Sequence, residues 1–325
     1  MEKREIVIVG GGPAGMAAAV SAREAGAEDV IILERDRFLG GILNQCVHTG
    51  FGIEYFKEVL TGPEYAERFE KKVRKDPGID IALRSFVTKL TKEKRMTVIS
   101  PGRAREISAK AVVMATGCRE RTREMAHVPG TRPAGVLSAG LAQKLINVDG
   151  FLPGKEVVIV GSGDIGLIMA RRFTLEGAKV KAIIEMNAAV TGLIRNVVQC
   201  AEDFEVPIFL GHRVLEIRGK NRVEAVISGK VDAAGNCMLG TKIEMPCDTA
   251  LFSVGLIPEN ELIEMAGVMM DKKSNTPVSS EINKTTVPGI FVCGNSYRIY
   301  DIVDDVTKDA EIAGRQAAEY ARRKK

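Results

Sequence analysis

The sequence predicts an α/β protein made of two doubly wound domains on one plan, the second inserted into the first. Three observations predict it. A strand–glycine turn–helix–strand unit occurs twice, and each copy leads through a hairpin to an apolar strand that ends in glycine. At 325 residues the chain is also long enough to bury two cores.

The first copy, "REIVIVGGGPAGMAAAVSAREAGAEDVIILERD", runs from a buried strand through Gly10-x-Gly12-x-x-Gly15 into an alanine-rich helix. A second apolar strand then ends at Glu34. The second copy, "KEVVIVGSGDIGLIMARRFTLEGAKVKAIIEMN", turns through Gly161-x-Gly163-x-x-Gly166 and ends at Glu185. The step from last glycine to acid is the same in both, Gly15 to Glu34 and Gly166 to Glu185. One such glycine pattern is weak evidence. Two, each between strand and helix and each with an acid about 20 residues on, point to two bound dinucleotides.

Each part has a physical reason. The first glycine allows the tight turn, the second lets backbone approach a pyrophosphate, and the third lets helix pack on strand. The helix N-terminus presents unpaired amides and partial positive charge to phosphates. Glu34 and Glu185 can each hold a ribose through its hydroxyls. Glu185 would repel a 2′-phosphate and no arginine pair follows it, so the second site is expected to prefer NAD(H) over NADP(H). Asp164 brings negative charge into the second phosphate turn, and capping of the helix amides is the reading favoured over catalysis.

Beyond each copy, "KLTKEKRMTVIS" and "VLEIRGKNRVEAVIS" read as hairpins. "AVVMATG" then closes at Gly117 and "TALFSVG" at Gly255. "TGPE" at 61–64 starts a helix with an early proline, where the missing N–H costs little, and that helix is read as packing.

Composition excludes several classes. Hydrophobic residues make up 45% and charged residues 27%, which argues against disorder, and the net charge of +4 is spread along the chain. The one basic run, "ARRKK" at the C-terminus, reads as a solvated tail rather than a nucleic-acid patch. No apolar run approaches the roughly 18 residues of a membrane span. "MEKREIVIVG" enters a strand at once, which makes the cytoplasm the expected compartment. Cysteines 46, 118, 200, 237, 247 and 293 include no C-x-x-C and are read as small buried hydrophobes.

These motifs, with "VIVGGGPAG", "ATG" at 115–117, "GSGDIG" and the C-terminal "TTVPGIFVCGN", closely resemble the pyridine nucleotide–disulfide oxidoreductase superfamily in its short, thioredoxin-reductase-like form. The resemblance covers essentially the whole chain. It implies a Rossmann-like FAD domain of 1–118 and 253–325 interrupted by an NAD(H) domain of 119–252. The final strand would bring Gly294 and Asn295 to the flavin's ribityl chain. A helix starting near Val306 and Thr307 would point its N-terminus at the flavin ring. Together, motifs and resemblance assign FAD to Gly10, Gly12, Pro13, Ala14, Gly15, Glu34, Arg35, Gly40, Gly41, Gln45, Val87, Ala115, Thr116, Gly117, Gly294, Asn295, Val306 and Thr307. They assign NAD to Gly161, Gly163, Asp164, Ile165, Gly166, Glu185 and Gly255. No metal ligands are assigned.

Three departures from the family narrow the expectation. Asn295 stands where the family usually has aspartate; an amide oxygen still accepts a ribityl hydrogen bond, at about 0.5–1.5 kcal/mol rather than the 1.5–3 of a charged acceptor. The family's redox cysteine pair is missing from both places it occupies. "GVLSAGLAQKLINVDG" has no cysteine, and "GGILNQCVHTG" after the first acid strand has only Cys46. Cys46 and His48 are the candidate reactive groups there, with Gln45 and Thr49 near the ring's edge; a packed, inert Cys46 is the favoured reading because no nearby cation would depress its pKa.

The third departure is in "GGILNQCVHTGFG", "LTGPEYAERF", "ATGCRER" and "PGKEVVIVGSGDIGLIMARR". These look like flavoproteins associated with bacterial glycerol-3-phosphate dehydrogenases. More distantly they look like the NAD-domain subunits of sarcosine oxidase, amino-acid dehydrogenase and cyanide-forming complexes. That resemblance implies an oxidoreductase exchanging electrons between NAD(H) and a partner subunit that oxidises the substrate; the expected partner is such a dehydrogenase subunit or, as a homodimer, a second copy of the chain. A stand-alone NADH oxidase or a thiol reductase using Cys46 is the alternative. Tyr297, Tyr300, Asp301, Asp304 and Asp305 fall near the expected flavin edge, the acids as helix caps. The arginines of "CRERTRE" are expected in surface ion pairs, and His127 and His212 receive no role.

Overall fold

The structure, a computed structural model, describes residues 1–232, 234–279 and 281–323. The chain forms two compact units, Met1–Arg119 with the chain from Ile257 onward, and Glu120–Leu256.

The first unit opens with β1 (Glu2–Val9), α1 (Pro13–Glu24) and β2 (Val30–Leu33). A 3-10 turn over Gly41–Gln45 and the paired β3 (Thr49–Phe51) and β4 (Leu60–Thr61) lead to α2 (Gly62–Lys75) and β5 (Ile79–Ala82). β6 (Phe86–Leu90), β7 (Arg95–Ser100) and β8 (Arg103–Met114) form an antiparallel meander. The chain leaves through β9 (Cys118–Glu120).

The second unit contains β10 (Val136–Ser138), α3 (Ala139–Asn147), β11 (Glu156–Val160), α4 (Asp164–Leu175), β12 (Lys179–Glu185), α5 (Ile194–Cys200) and β13 (Ile208–Leu210). The antiparallel β14 (His212–Arg218), β15 (Ala225–Lys230) and β16 (Ile243–Pro246) follow, then β17 (Thr249–Phe252). β18 (Leu256–Pro258), paired with β9, returns the chain. The first unit is completed by α6 (Glu261–Met265), β19 (Met270–Asp271), β20 (Thr276–Pro277), β21 (Ile290–Val292) and α7 (Val303–Arg323).

The sheets repeat one another. Strands β5, β2, β1 and β8 run parallel in that order, with β21 on the C-terminal half of β8. Their counterparts are β13, β12, β11, β17 and β10. One difference is topological: the fifth strand and its helix come last in the first unit (β21, α7) and first in the second (β10, α3). The single long β8 of the first unit also corresponds to two strands, β16 and β17, in the second.

Both faces of each parallel sheet are covered, which is why these strands read as unbroken apolar runs. Side chains alternate across the sheet, so Ile6 and Ile8 join the core under α1, α2 and α7, while Val7 and Val9 join the core on the opposite face. Val157 with Ile159 and Val158 with Val160 divide in the same way. α7 lies close against α1 because the contact is made of small residues: a Cβ on Gly314 would sit 2.2 Å from the Ala18 carbonyl oxygen.

α7 begins at Val303, earlier than the expected Val306, and its first turn holds Asp304 and Asp305. Carboxylates there complement the helix dipole. The C-terminal run is not wholly a solvated tail. Ala321 is buried and Arg322 and Arg323 continue the helix, while Lys324 and Lys325 lie outside the described residues. Nor are the cysteines uniformly buried: Cys200, Cys247 and Cys293 are, while Cys46, Cys118 and Cys237 are part-exposed.

Candidate functional site

The two glycine turns have the same construction, with each glycine doing different work. Gly10 (φ +108) and Gly161 (φ +97) hold the left-handed turn, and a Cβ on them would strike the carbonyl oxygens of Ala115 and Ser253 at 2.3 and 2.0 Å. Gly15 and Gly166 admit the helix, since their Cβ atoms would lie 1.8 and 2.5 Å from the oxygens of Gly10 and Gly161. The middle glycines are different. A Cβ on Gly12 would meet nothing nearer than Gly41 Cα at 3.9 Å, and one on Gly163 nothing nearer than 4.0 Å. Both have ordinary extended backbone (φ −74 and −66), so local conformation does not demand glycine. The space beside them is what the residue type preserves. Gly12 and Gly163 are also the N-caps of α1 and α4, and neither helix start is closed by a capping side chain. Open space beside uncapped helix-terminal amides fits a pyrophosphate in each unit.

The acids brace these turns by matching bonds. Glu34 Oε2 accepts from the Gly11 amide at 2.6 Å and Oε1 from the Asp36 amide at 2.7 Å. Glu185 Oε2 accepts from Ser162 N and Oγ at 3.0 and 2.5 Å, and Oε1 from Asn187 N and Nδ2 at 2.8 and 2.7 Å. Both carboxylates are buried, at 6% and 4% exposure, and the donors that hold them are neutral. Glycine-pattern reasoning located the acids but missed Gly11, Asp36, Ser162 and Asn187, although the second residue of each turn and the second residue after each acid mark them.

Asp164 is not a cap. It is the first residue of α4, and its Oδ1 accepts from Leu193 N at 2.8 Å and Asn196 Nδ2 at 2.7 Å. Its charge therefore ties the start of α5 to the glycine turn. The Ser162 carbonyl accepts from Gly192 N, at 2.9 Å, and Ser162 Oγ from Thr191 N, at 3.1 Å, so the loop after Glu185 is fastened at three points. Ile165 follows in α4, partly buried against its core, and Gly255 (φ +104) lies beyond the end of β17.

In the first unit, Gly40 (φ +106) and Gly41 (φ +53) fold "GGILNQC" into a single 3-10 turn, with Gly41 packed on Gly12. Gln45 is buried there. Cys46 ends the turn, its thiol 3.3 Å from the Ile42 carbonyl and its backbone against Gly62 of α2. Burial pushes the Cys46 thiol up to about 12. The His48 ring lies 5.1 Å from that of Phe51. Among the described residues no group of three or more His, Cys, Asp or Glu is arranged to hold a metal.

Gly294 joins Ala14 and Val306: its Cβ would stand 2.8 Å from Ala14 Cβ and 3.4 Å from Val306 Cγ1. Pro13 opens α1 beside them. Asn295 is oriented by its neighbours, Oδ1 accepting from Tyr300 N at 3.1 Å and Nδ2 pointing at Cys118 Sγ at 3.5 Å. The expected acceptor oxygen thus already carries one backbone bond. Ala115 N bonds to Val9 O, Thr116 Oγ1 to Glu259 O, and Gly117 (φ +74) has open space where a Cβ would be. Val87 puts its side chain in the core, leaving only backbone for a ligand. Arg35 is largely exposed, 3.8 Å from Glu259.

Thr307 is buried, its hydroxyl 2.7 Å from that of Tyr65. α2, read as packing, also reaches the expected flavin helix through this bond, and its own start is a capping box of Thr61 and Glu64. Asp304 accepts from the Tyr55 amide at 3.0 Å and Asp305 pairs with Lys308, so their bonds do not cap the helix. Tyr297 packs on the core, and Asp301 is exposed. Arg119 pairs with Glu261 at 2.6 Å and Arg121 is exposed. Arg123 departs from the surface-pair expectation: it is buried and donates to the carbonyls of Val128 and Thr131. His212 bonds to Leu210 O, and His127 adopts φ +51 in a turn.

The model of the pyridine nucleotide-disulphide oxidoreductase family matches residues 4–320. The chain belongs to that family. Its members are FAD- and NAD(P)-dependent enzymes. An opine oxidase subunit from Agrobacterium tumefaciens is 27% identical over 342 residues, covering 97% of this chain and 64% of that protein. The thioredoxin reductase of Rickettsia prowazekii is 24% identical, covering 95% of this chain and 93% of its own length. The crystal structure of T. acidophilum thioredoxin reductase superimposes with a TM-score of 0.77 at 23% identity, over 98% of this chain and 99% of that one. The chain spans under two thirds of the length of the opine oxidase protein. Among the described residues no helix is long and apolar enough to cross a membrane.

Proposed function

We propose that this family member is a flavoprotein NADH oxidoreductase. It exchanges a hydride between NAD(H) and FAD, and trades electrons with a partner dehydrogenase subunit of glycerol-3-phosphate or amino-acid type rather than with a disulfide. The observation that carries the reading is the pair of open, carboxylate-braced glycine turns in a chain whose six cysteines form no disulfide among the described residues. The similarity to a protein named as an oxidase subunit supports the partner.

FAD would be held by the Gly10–Gly15 turn, Glu34, the Gly40–Gln45 segment and the Gly294–Asn295 turn, and NAD by the Gly161–Gly166 turn and Glu185. Bound flavin supplies a two-electron hydride acceptor that no side chain provides. The chain's own part is binding and orientation. The α1 and α4 amides neutralise phosphate charge, and the buried carboxylates fix ribose and turn together. Glu185 disfavours a 2′-phosphate, because a second anion beside a buried carboxylate held by neutral donors is repelled at low dielectric; this supports NAD(H). Six cysteines without a disulfide among the described residues support a reducing compartment such as the cytoplasm. Use of Cys46 by a stand-alone oxidase or thiol reductase is the second reading, and it is disfavoured because a thiol pushed up to about 12 holds little thiolate at neutral pH.

An anaerobic NADH titration of the FAD-loaded protein tests this. Bleaching complete at about one NADH per flavin supports a single two-electron centre served by a partner. A requirement for about two returns the disulfide reading. NADPH that bleaches as effectively as NADH would remove the proposed preference.

A further inference from the structure

The turn after β21 is held from behind by one buried carboxylate that neither the glycine motifs nor the family resemblance assigned. Gly294 adopts φ +64 and donates its N–H to Asp309 Oδ2 at 2.7 Å. Asp309 Oδ1 accepts from Asn283 Nδ2 at 2.8 Å. Asn283 is fully buried in a left-handed conformation (φ +63). Its Nδ2 also donates to Val292 O at 2.9 Å, and its backbone carbonyl accepts from Val292 N at 2.9 Å. The Tyr300 N–H holds Asn295 Oδ1 at 3.1 Å. Gly294 is therefore tied directly to Asp309, and Asn295 follows it in the same turn.

Helix packing does not call for this acid. The buried positions of α7 after Asp309 are alanines and Gly314, and an acid with 6% exposure hydrogen-bonded by neutral donors costs stability compared with a small apolar residue. What it supplies is acceptor capacity. Two donors from two segments each take one of its two oxygens, which an alanine or an amide cannot satisfy together. The turn so fixed is the one pressed against Ala14 in the first turn of α1.

We infer that Asp309 is the positioning residue of the FAD site, holding the Gly294–Asn295 turn in the conformation that grips the cofactor against the start of α1. The inference rests on the reading of the first unit as the FAD domain. The groups facing Asp309 are Tyr300 and Arg298 from the segment before α7, Asn283, and Cys293 at the end of β21. Arg298 stacks over the Tyr300 ring at 4.7 Å and favours the ionised acid, while burial opposes it and raises its pKa.

The test is FAD affinity of the apoprotein by flavin fluorescence, for wild type and Asp309→Asn, from neutral to mildly acidic pH. The amide leaves one acceptor for two donors, so the Kd for FAD is expected to rise about 10- to 100-fold at neutral pH. Wild-type affinity falls as acid protonates Asp309, whereas the variant is weak throughout and flat with pH. A residue that merely supported the core would lower the apoprotein's melting temperature and leave the pH profile of FAD affinity unchanged. A variant Kd within about twofold of wild type, with the wild-type pH slope, overturns the inference. Wild type that fails to bind FAD saturably overturns the FAD reading, and the inference with it. If Asp309→Asn does not fold, Asp309→Ala removes both acceptors while placing at this position the small residue that the rest of the helix buries. Its expected loss is again about 10- to 100-fold, and an unchanged Kd overturns the inference.

Discussion

Substituting alanine for Gly12 separates two roles of glycine that are usually confounded. At φ −74 with no atom within 3.9 Å of the new Cβ, alanine fits the ligand-free turn without strain. Removing glycine's freedom from the unfolded chain then stabilises the apoprotein by about 0.4–1 kcal/mol. The methyl, however, fills the space in which the proposed FAD pyrophosphate would meet the α1 amides. Pushing the phosphates out breaks one or two charge-assisted hydrogen bonds of about 1.5–3 kcal/mol each, which corresponds to roughly a 10-fold loss of FAD affinity for one weak bond and 10²-fold or more for two. The assay pairs thermal melting of apoprotein with a fluorescence titration of FAD. The two readouts move in opposite directions: melting temperature up slightly, affinity sharply down. A Gly12→Ala protein that binds FAD like wild type would refute the placement of the pyrophosphate beside this turn. Gly163→Ala makes the same comparison for NADH.

Gly10→Ala and Gly161→Ala are expected instead to destabilise the free protein by several kcal/mol, since their Cβ atoms would lie 2.3 and 2.0 Å from a backbone carbonyl oxygen at positive φ; soluble yield and melting temperature report it. Glu185→Gln leaves the Ser162 or Asn187 amide without an acceptor. About 1–3 kcal/mol of stability is lost, NADH affinity falls, and the NADH-to-NADPH preference narrows in steady-state kinetics. Because burial raises the Cys46 thiol to about 12, its iodoacetamide reaction is expected to be slow at neutral pH and to accelerate only as pH rises toward that value. Rapid alkylation at neutral pH accompanied by loss of NADH turnover would contradict an inert thiol.

The parts legible from sequence are those whose cause lies within about 30 residues of chain. Both glycine turns, both acids and both hairpins read directly, because a tight turn, a helix start and an alternating strand state their requirements in neighbouring residues. The superfamily followed from those motifs. Misreadings occurred where a side chain chose a partner across space. Asp164 had a cap-like position, yet it bonds Leu193 and Asn196; Arg123 sat in a charge run, yet it turns inward to two carbonyls.

By itself, then, the sequence determined the periodic and local features: which runs are strands, where backbone must bend, where glycine opens a helix start, and that two such units share one chain. Only the tertiary structure decided which polar groups meet. Asp309 is reached by the Gly294 amide and Asn283, and Thr307 by a tyrosine 242 residues away. Nothing local distinguishes an aspartate in an amphipathic helix that will face solvent from one that will be buried. Its fate depends on which donors the rest of the fold carries to it, and an unpaired buried group is too costly for those donors to be left without it.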